Sequence, residues 1–69
     1  MERQNVSSSN LQSIGYDEES QTLEVEFING GIYQYFDVPK HLFEDFLNAA
    51  SVGSFLARNI KGHFRFSKV

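Results

Sequence analysis

The sequence contains no cysteine and only one proline among its 69 residues. Without cysteine there is no disulfide, no thiolate metal ligand and no thiol nucleophile, and the missing disulfide favours a cytoplasmic protein. No apolar run approaches the roughly 20 residues that span a bilayer, and the polar start, Met1–Asn5, is unlike a signal peptide. We therefore expect a cytoplasmic protein that forms one domain, residues 1–69, and does not enter a membrane.

Acidic residues are absent after Asp45. The segment from Glu2 to Asp45 has nine acidic and two basic residues, a formal charge of −7, whereas the remainder has only basic residues and carries +4. The four basic residues are Arg58, Lys61, Arg65 and Lys68. Two interpretations remain open: a solvated tail that complements an acidic sheet, or a patch for an anionic ligand.

Alternating residues in the first half predict strands. Leu11–Asp17 is a predicted strand, and Thr22–Ile28 alternates apolar Leu23, Val25 and Phe27 with glutamates. The residues 29–31, Asn-Gly-Gly, predict a hairpin turn, and a third strand covers Ile32–Val38. An irregular segment, Val6–Asn10, precedes these strands.

The second half predicts two helices. Pro39 suits a first helical turn because its missing N–H is not needed there, and apolar residues then recur at helical spacing up to Ala50. Ser51 can cap a second helix, which Gly62 ends. The predicted fold class is therefore α+β: a three-stranded antiparallel β-meander followed by two α-helices packed on one face. The predicted core comprises Leu23, Val25, Phe27, Phe43, Phe46, Leu47, Phe55 and Ile60.

The hairpin register determines where two tyrosines point. A two-residue turn would place Tyr33 and Tyr35 on the open face of the sheet, beside the glutamates. A three-residue loop, residues 28–30, would place both on the helix-facing side and leave Gln34 in water, because a shift of one residue exchanges the faces. We favour the second register.

Several short motifs together resemble the KTSC family, a small bacterial domain that occurs alone and at the C-terminus of some lysyl-tRNA synthetases. The family's central Tyr-x-Tyr is matched by Tyr33 and Tyr35, and the similarity extends from Val6 to Phe66. The sequence departs from it at Ala50 and Val52, where similar sequences often have an acidic residue and a lysine. The other matching segments are Ser8–Leu11, Gly15–Asp17, Leu23–Phe27, Gly30, Val38–Pro39, Ala49, Ser51, Gly53, Phe55 and Asn59–Ile60. The synthetase context implies RNA binding.

Aromatic and basic residues supply the candidate RNA site. Single-stranded RNA is bound by aromatic side chains that stack on bases, next to cations that contact phosphates. The candidates are Tyr33, Tyr35, Arg58, Lys61, Phe64, Arg65, Phe66 and Lys68. The tyrosines can equally form the rim of the core, with packed rings and wet hydroxyls. The alternative function is a protein-interaction or accessory module that acts through an exposed sheet edge or by self-association.

We expect no catalytic residue, cofactor or metal. His41 and His63 show no metal-ligand spacing, and a serine–histidine–aspartate set such as Ser9, His63 and Asp17 has no supporting motif. Ser51–Ser54 begins a helix whose free N–H groups can take an anion, but a serine cap explains this segment better. It is not a phosphate loop, because the second glycine and the lysine are missing.

Overall fold

The computed structural model describes residues 1–69 and contains one antiparallel sheet with two helices. The sheet has the strand order β1-β2-β3-β4-β5, and the fold class is α+β, as predicted. The elements are β1 (Arg3–Asn5), β2 (Leu11–Asp17), β3 (Thr22–Phe27), β4 (Gly31–Tyr35), α1 (Lys40–Leu47), α2 (Val52–Phe55), a π-helical turn (Leu56–Ile60) that continues α2, and β5 (Phe66–Lys68).

The sheet has five strands, so the prediction of three was wrong. The additional strands are the two edges: β1 pairs Arg3 with Gly15 of β2, and β5 pairs Phe66 with Tyr35 of β4. Each is only three residues long, and all of those residues are exposed. Because neither strand buries one face, neither shows the alternation on which the sequence prediction relied.

The favoured hairpin register is confirmed. Tyr35 lies opposite Leu23, Tyr33 opposite Val25 and Phe27 opposite Gly31, so residues 28–30 form the three-residue loop. Gly31 has a φ of 85°, a backbone conformation that glycine adopts without steric cost. Both tyrosines therefore point to the helix side. Gln34 lies on the open face but is half-buried, because its side chain contacts a glutamate.

The core lies between the sheet and the helices. Leu23, Val25, Phe46 and Ile60 are fully buried, as predicted. The prediction was wrong for Phe27, Phe43, Leu47 and Phe55, which pack against the core but remain half-buried. These four lie at the rim, where so short a chain has too few residues to cover them. Further buried residues are Leu11, Ile14, Tyr35, Val38, Val52 and Leu56.

The helices begin and end near the predicted residues. Helix α1 starts directly after Pro39, and the Ser51 hydroxyl accepts a hydrogen bond from the Ser54 N–H at 3.3 Å. The serine cap is thus confirmed. The turn after the π-helical segment contains Gly62 at a φ of 84°. None of the helices has the length and apolar character needed to cross a bilayer.

Candidate nucleic-acid interface

The open face of the sheet carries a closed network of charged and polar side chains. Glu24 accepts hydrogen bonds from the Gln34 amide at 2.9 Å and from the Arg3 guanidinium at 2.5 Å. Glu26 accepts one from the Ser13 hydroxyl at 2.8 Å, and Arg3 Nη2 lies 3.8 Å from it. The hydrogen bond from Gln34, assisted by Arg3, lowers the pKa of Glu24 against the effect of its burial. Glu24 is only 8% exposed, so this acidic face is largely neutralised and offers few free acceptors.

A glycine lets Arg3 reach this network. A Cβ atom at Gly15 would lie 2.6 Å from the Glu2 carbonyl oxygen and 2.8 Å from Cγ of Arg3. Both distances are shorter than any ordinary carbon contact. Only glycine therefore allows β1 to lie against β2 with the Arg3 side chain crossing towards Glu24.

Aromatic side chains cluster on the other side of the sheet, at its β5 edge. The Tyr33 ring meets Phe27 edge-on at a centroid distance of 5.4 Å, and Phe66 lies 6.0 Å from Tyr33 and 5.9 Å from Tyr35. Phe66 is 61% exposed, and Nζ of Lys68 lies 6.0 Å from the Tyr33 ring centroid. At this distance the ammonium group interacts with the ring quadrupole.

The predicted aromatic candidates differ in accessibility. Tyr35 is 2% exposed and belongs to the core. Its burial, followed by the nearby Tyr33, raises the pKa of Tyr35 above the ordinary 10.0. Phe64 is half-buried against the core. Phe66 and part of Tyr33 thus provide the ring surface that a base can reach.

The four basic candidates do not form one patch. Lys61 lines a cleft beside Tyr33, and Lys68 lies over that ring. Arg65 points to the opposite side from Phe66, because side chains alternate along an extended chain. Its guanidinium lies 2.8 Å from Asp37 and 5.6 Å from the Phe36 ring centroid.

The residues that the structure brings together are Tyr33, Lys61, Phe66 and Lys68, which we call the Tyr33 surface. Arg58 is exposed on the π-helical turn, without an ion pair. The sequence analysis missed the neighbouring Ser9, Asn10 and Asn29, which share the cleft with Tyr33 and Lys61. Their only signal was a polar run before β2 and a polar hairpin loop.

Comparison with known proteins identifies the family. The model of the KTSC domain matches residues 7–64. The chain belongs to the KTSC domain family. Its fold matches the crystal structure of a KTSC domain protein from Yersinia pestis, with a TM-score of 0.98 and 44% identity over 99% of this chain and 96% of that one.

Two kinds of relative share this KTSC domain. An uncharacterised protein of Stutzerimonas stutzeri is 40% identical over all of this chain and 99% of its own length. A lysine–tRNA ligase of Nostoc punctiforme is 39% identical over 86% of this chain. The chain spans only 10% of that ligase. The resemblance to a family that occurs alone and within synthetases is therefore confirmed.

The range of the family match has a structural meaning. Residues 7–64 contain β2, β3, β4, α1, α2 and the π-helical turn, whereas β1 and β5 lie outside them. Phe66 and Lys68 of the Tyr33 surface are in β5, and Arg3 of the acidic network is in β1. The Yersinia pestis structure aligns over 99% of the chain, so it extends over both edge strands as well.

Proposed function

We propose that this KTSC domain binds single-stranded RNA through the Tyr33 surface. The observation that carries the proposal is an exposed phenylalanine, Phe66, packed beside Tyr33 and flanked by Lys61 and Lys68, neither of which forms an ion pair. Stacking of a base on an aromatic ring contributes about 1–3 kcal/mol. Free ammonium groups next to the rings supply the contacts to phosphate.

The distribution of charge supports this placement. Glu24 and Glu26 would repel phosphate, but the hairpin register puts them on the opposite side of the sheet from Tyr33. Glu24 is, moreover, paired with Arg3. The objection that an acidic sheet would repel RNA from the tyrosines therefore does not apply to this register.

The family supports a connection with RNA as well. Relatives from Nostoc punctiforme and Trichormus variabilis carry the name lysine–tRNA ligase, and each contains a region like this chain. A small accessory domain that holds an RNA strand fits that context. We propose a binding role without catalysis, and a cytoplasmic location, in keeping with a chain that has no cysteine.

Fluorescence anisotropy with a labelled eight-nucleotide RNA tests the proposal. Each phosphate contact contributes roughly 0.7 to the slope of log K against log salt for a single strand. Replacing both Lys61 and Lys68 by Gln should therefore weaken binding strongly at low salt and reduce the slope by about 1.4. The matched control replaces Arg58 and Arg65 by Gln, which removes the same charge elsewhere.

The two variants separate a local site from general attraction. The proposal predicts that the control binds with an affinity within about threefold of the parent's, because long-range attraction between exposed charges is screened by salt. Equal losses in both variants would show that only net charge matters. No binding by the parent protein at low salt would reject RNA binding.

The outer edge of β5 supports a second candidate function, pairing with a protein strand. Arg65 and Val69 bond inward, through hydrogen bonds to Phe36 and Ile32. Since these groups alternate along a strand, the main-chain groups of Phe66 and Lys68 point outward. A partner strand or a second copy can pair there. Sedimentation that shows concentration-dependent dimers, lost on changing Ser67 to Pro, would favour this function.

A further inference from the structure

A cleft adjoins the Tyr33 surface and differs from it in chemistry. The cleft has a volume of about 370 Å³ and lies between the segment before β2, the β3–β4 loop and Lys61. Phe27 and Tyr33 provide aromatic contact, and the remaining side chains are polar or basic, with no carboxylate among them. Pockets for small ligands begin at about 300 Å³, so this cleft can accept a single base but not an extended ligand.

The polar groups that line the cleft are mainly hydrogen-bond donors. The Ser9 hydroxyl donates to Oδ1 of Asn10 at 3.2 Å. Because that contact occupies the amide oxygen, the free part of the Asn10 side chain is its NH₂ group, which can only donate. The Lys61 ammonium likewise has donors and no acceptor. A base in the cleft would therefore meet donors from two sides.

We infer that this cleft selects a base with carbonyl oxygens, uracil in particular, over adenine. This inference rests on the proposed RNA binding and adds a base preference to it. Uracil presents two carbonyl acceptors on its edge, whereas adenine has none and presents an amino donor instead. Adenine would place this donor towards Asn10 or Lys61 and leave one of them without a partner, which carries a free-energy cost when water is excluded.

The main-chain role of Asn10 is separate from its side chain. Its N–H donates to Ser8 Oγ at 3.1 Å, and its carbonyl accepts from the Ile28 N–H at 2.9 Å. Changing Asn10 to Ala therefore removes the donor and leaves these two hydrogen bonds. Changing Asn10 to Asp keeps the shape and the acceptor but also removes the donor.

The test is the ratio of affinities for labelled r(U)₈ and r(A)₈, measured by fluorescence anisotropy at low salt. The parent protein should bind r(U)₈ about three- to tenfold more tightly, the value of one net hydrogen bond. Both Asn10→Ala and Asn10→Asp should bring the ratio within about twofold of one. Asn48→Ala, which removes a similar amide from the end of α1 outside the cleft, should keep the parent's ratio.

The outcomes distinguish this inference from the proposed function. If the parent binds neither RNA, both are overturned. If it binds both equally, or if the preference for r(U)₈ survives in both Asn10 variants, the cleft does not select the base, while RNA binding at the Tyr33 surface stands. A purely structural role for Asn10 would weaken binding of both RNAs together and leave their ratio unchanged.

Discussion

Phe46 and Phe27 illustrate how differently two phenylalanines of one small core are placed. Phe46 has no exposed surface and stacks on Phe55 at a centroid distance of 5.5 Å. Phe27 is half-buried at the rim, beside the cleft. The cost of removing a buried side chain depends on the cavity that is left behind, so the two substitutions should not be equivalent.

Phe46→Ala is expected to lower the free energy of unfolding by about 3–5 kcal/mol. Native proteins of this kind are stable by only about 5–15 kcal/mol, so this variant should be largely unfolded at moderate urea concentrations. Phe27→Ala should lose distinctly less. Urea titrations followed by circular dichroism measure both, with Ile28→Ala, an exposed site, as the control. Equal losses for Phe46 and Phe27 would contradict the burial described above.

Gly15→Ala is expected to destabilise the protein by about 1–3 kcal/mol, because the added methyl group would overlap the backbone of Glu2 and force β1 away from β2. The matched control is Gly53→Ala, where the nearest atoms lie at 3.7 Å and alanine favours the helix. This control should be neutral or stabilising by up to about 1 kcal/mol. Thermal melting distinguishes them, and a Gly15 variant as stable as the parent would show that β1 does not depend on this contact.

At the scale of elements, strength of periodicity decided what could be predicted. The bounds of β2 agree with the prediction, and β3 differs only at Ile28, because both strands bury one face and alternate clearly. The edge strands β1 and β5 gave no such signal, since their residues are exposed and held mainly by main-chain pairing. The Tyr33 register could be narrowed to two alternatives, and the half-buried Gln34 and its partner Glu24 explain why the polar residue was tolerated on that face.

Strand β1 also makes the stability of the sheet depend on pH. The pKa of Glu24 is lower in the folded protein than its ordinary 4.5, chiefly through Gln34 and then Arg3. A carboxyl group with a lowered pKa stabilises the fold above its unfolded pKa, and this contribution is lost as the pH falls through the folded value.

The urea midpoint of the parent should therefore fall between pH 6.5 and pH 3, and Glu24→Gln should show a smaller fall. Glu19→Gln, in the exposed turn between β2 and β3, should follow the parent. A Glu24 variant with the full pH dependence of the parent would show that this network does not report on the titration.

At the scale of the whole molecule, the sequence predicted the charge asymmetry but not its geometry. The four basic residues of the C-terminal part were expected to act together, yet the fold sends Arg65 to Asp37 and gathers Lys61 and Lys68 around Tyr33. Ser9 and Asn10 reach the same place from the other end of the chain. Such a site, built from segments about 50 residues apart, depends on tertiary packing that local sequence patterns do not contain.

The most direct test of RNA binding at the Tyr33 surface is a titration of the ¹⁵N-labelled protein with r(U)₈, followed by two-dimensional NMR. The account predicts that the amide signals of Tyr33, Lys61, Phe66 and Lys68 shift progressively, while those of Ser13, Gly15 and Glu24 on the opposite face stay in place. An unchanged spectrum, or shifts confined to the face of Glu24, would contradict it.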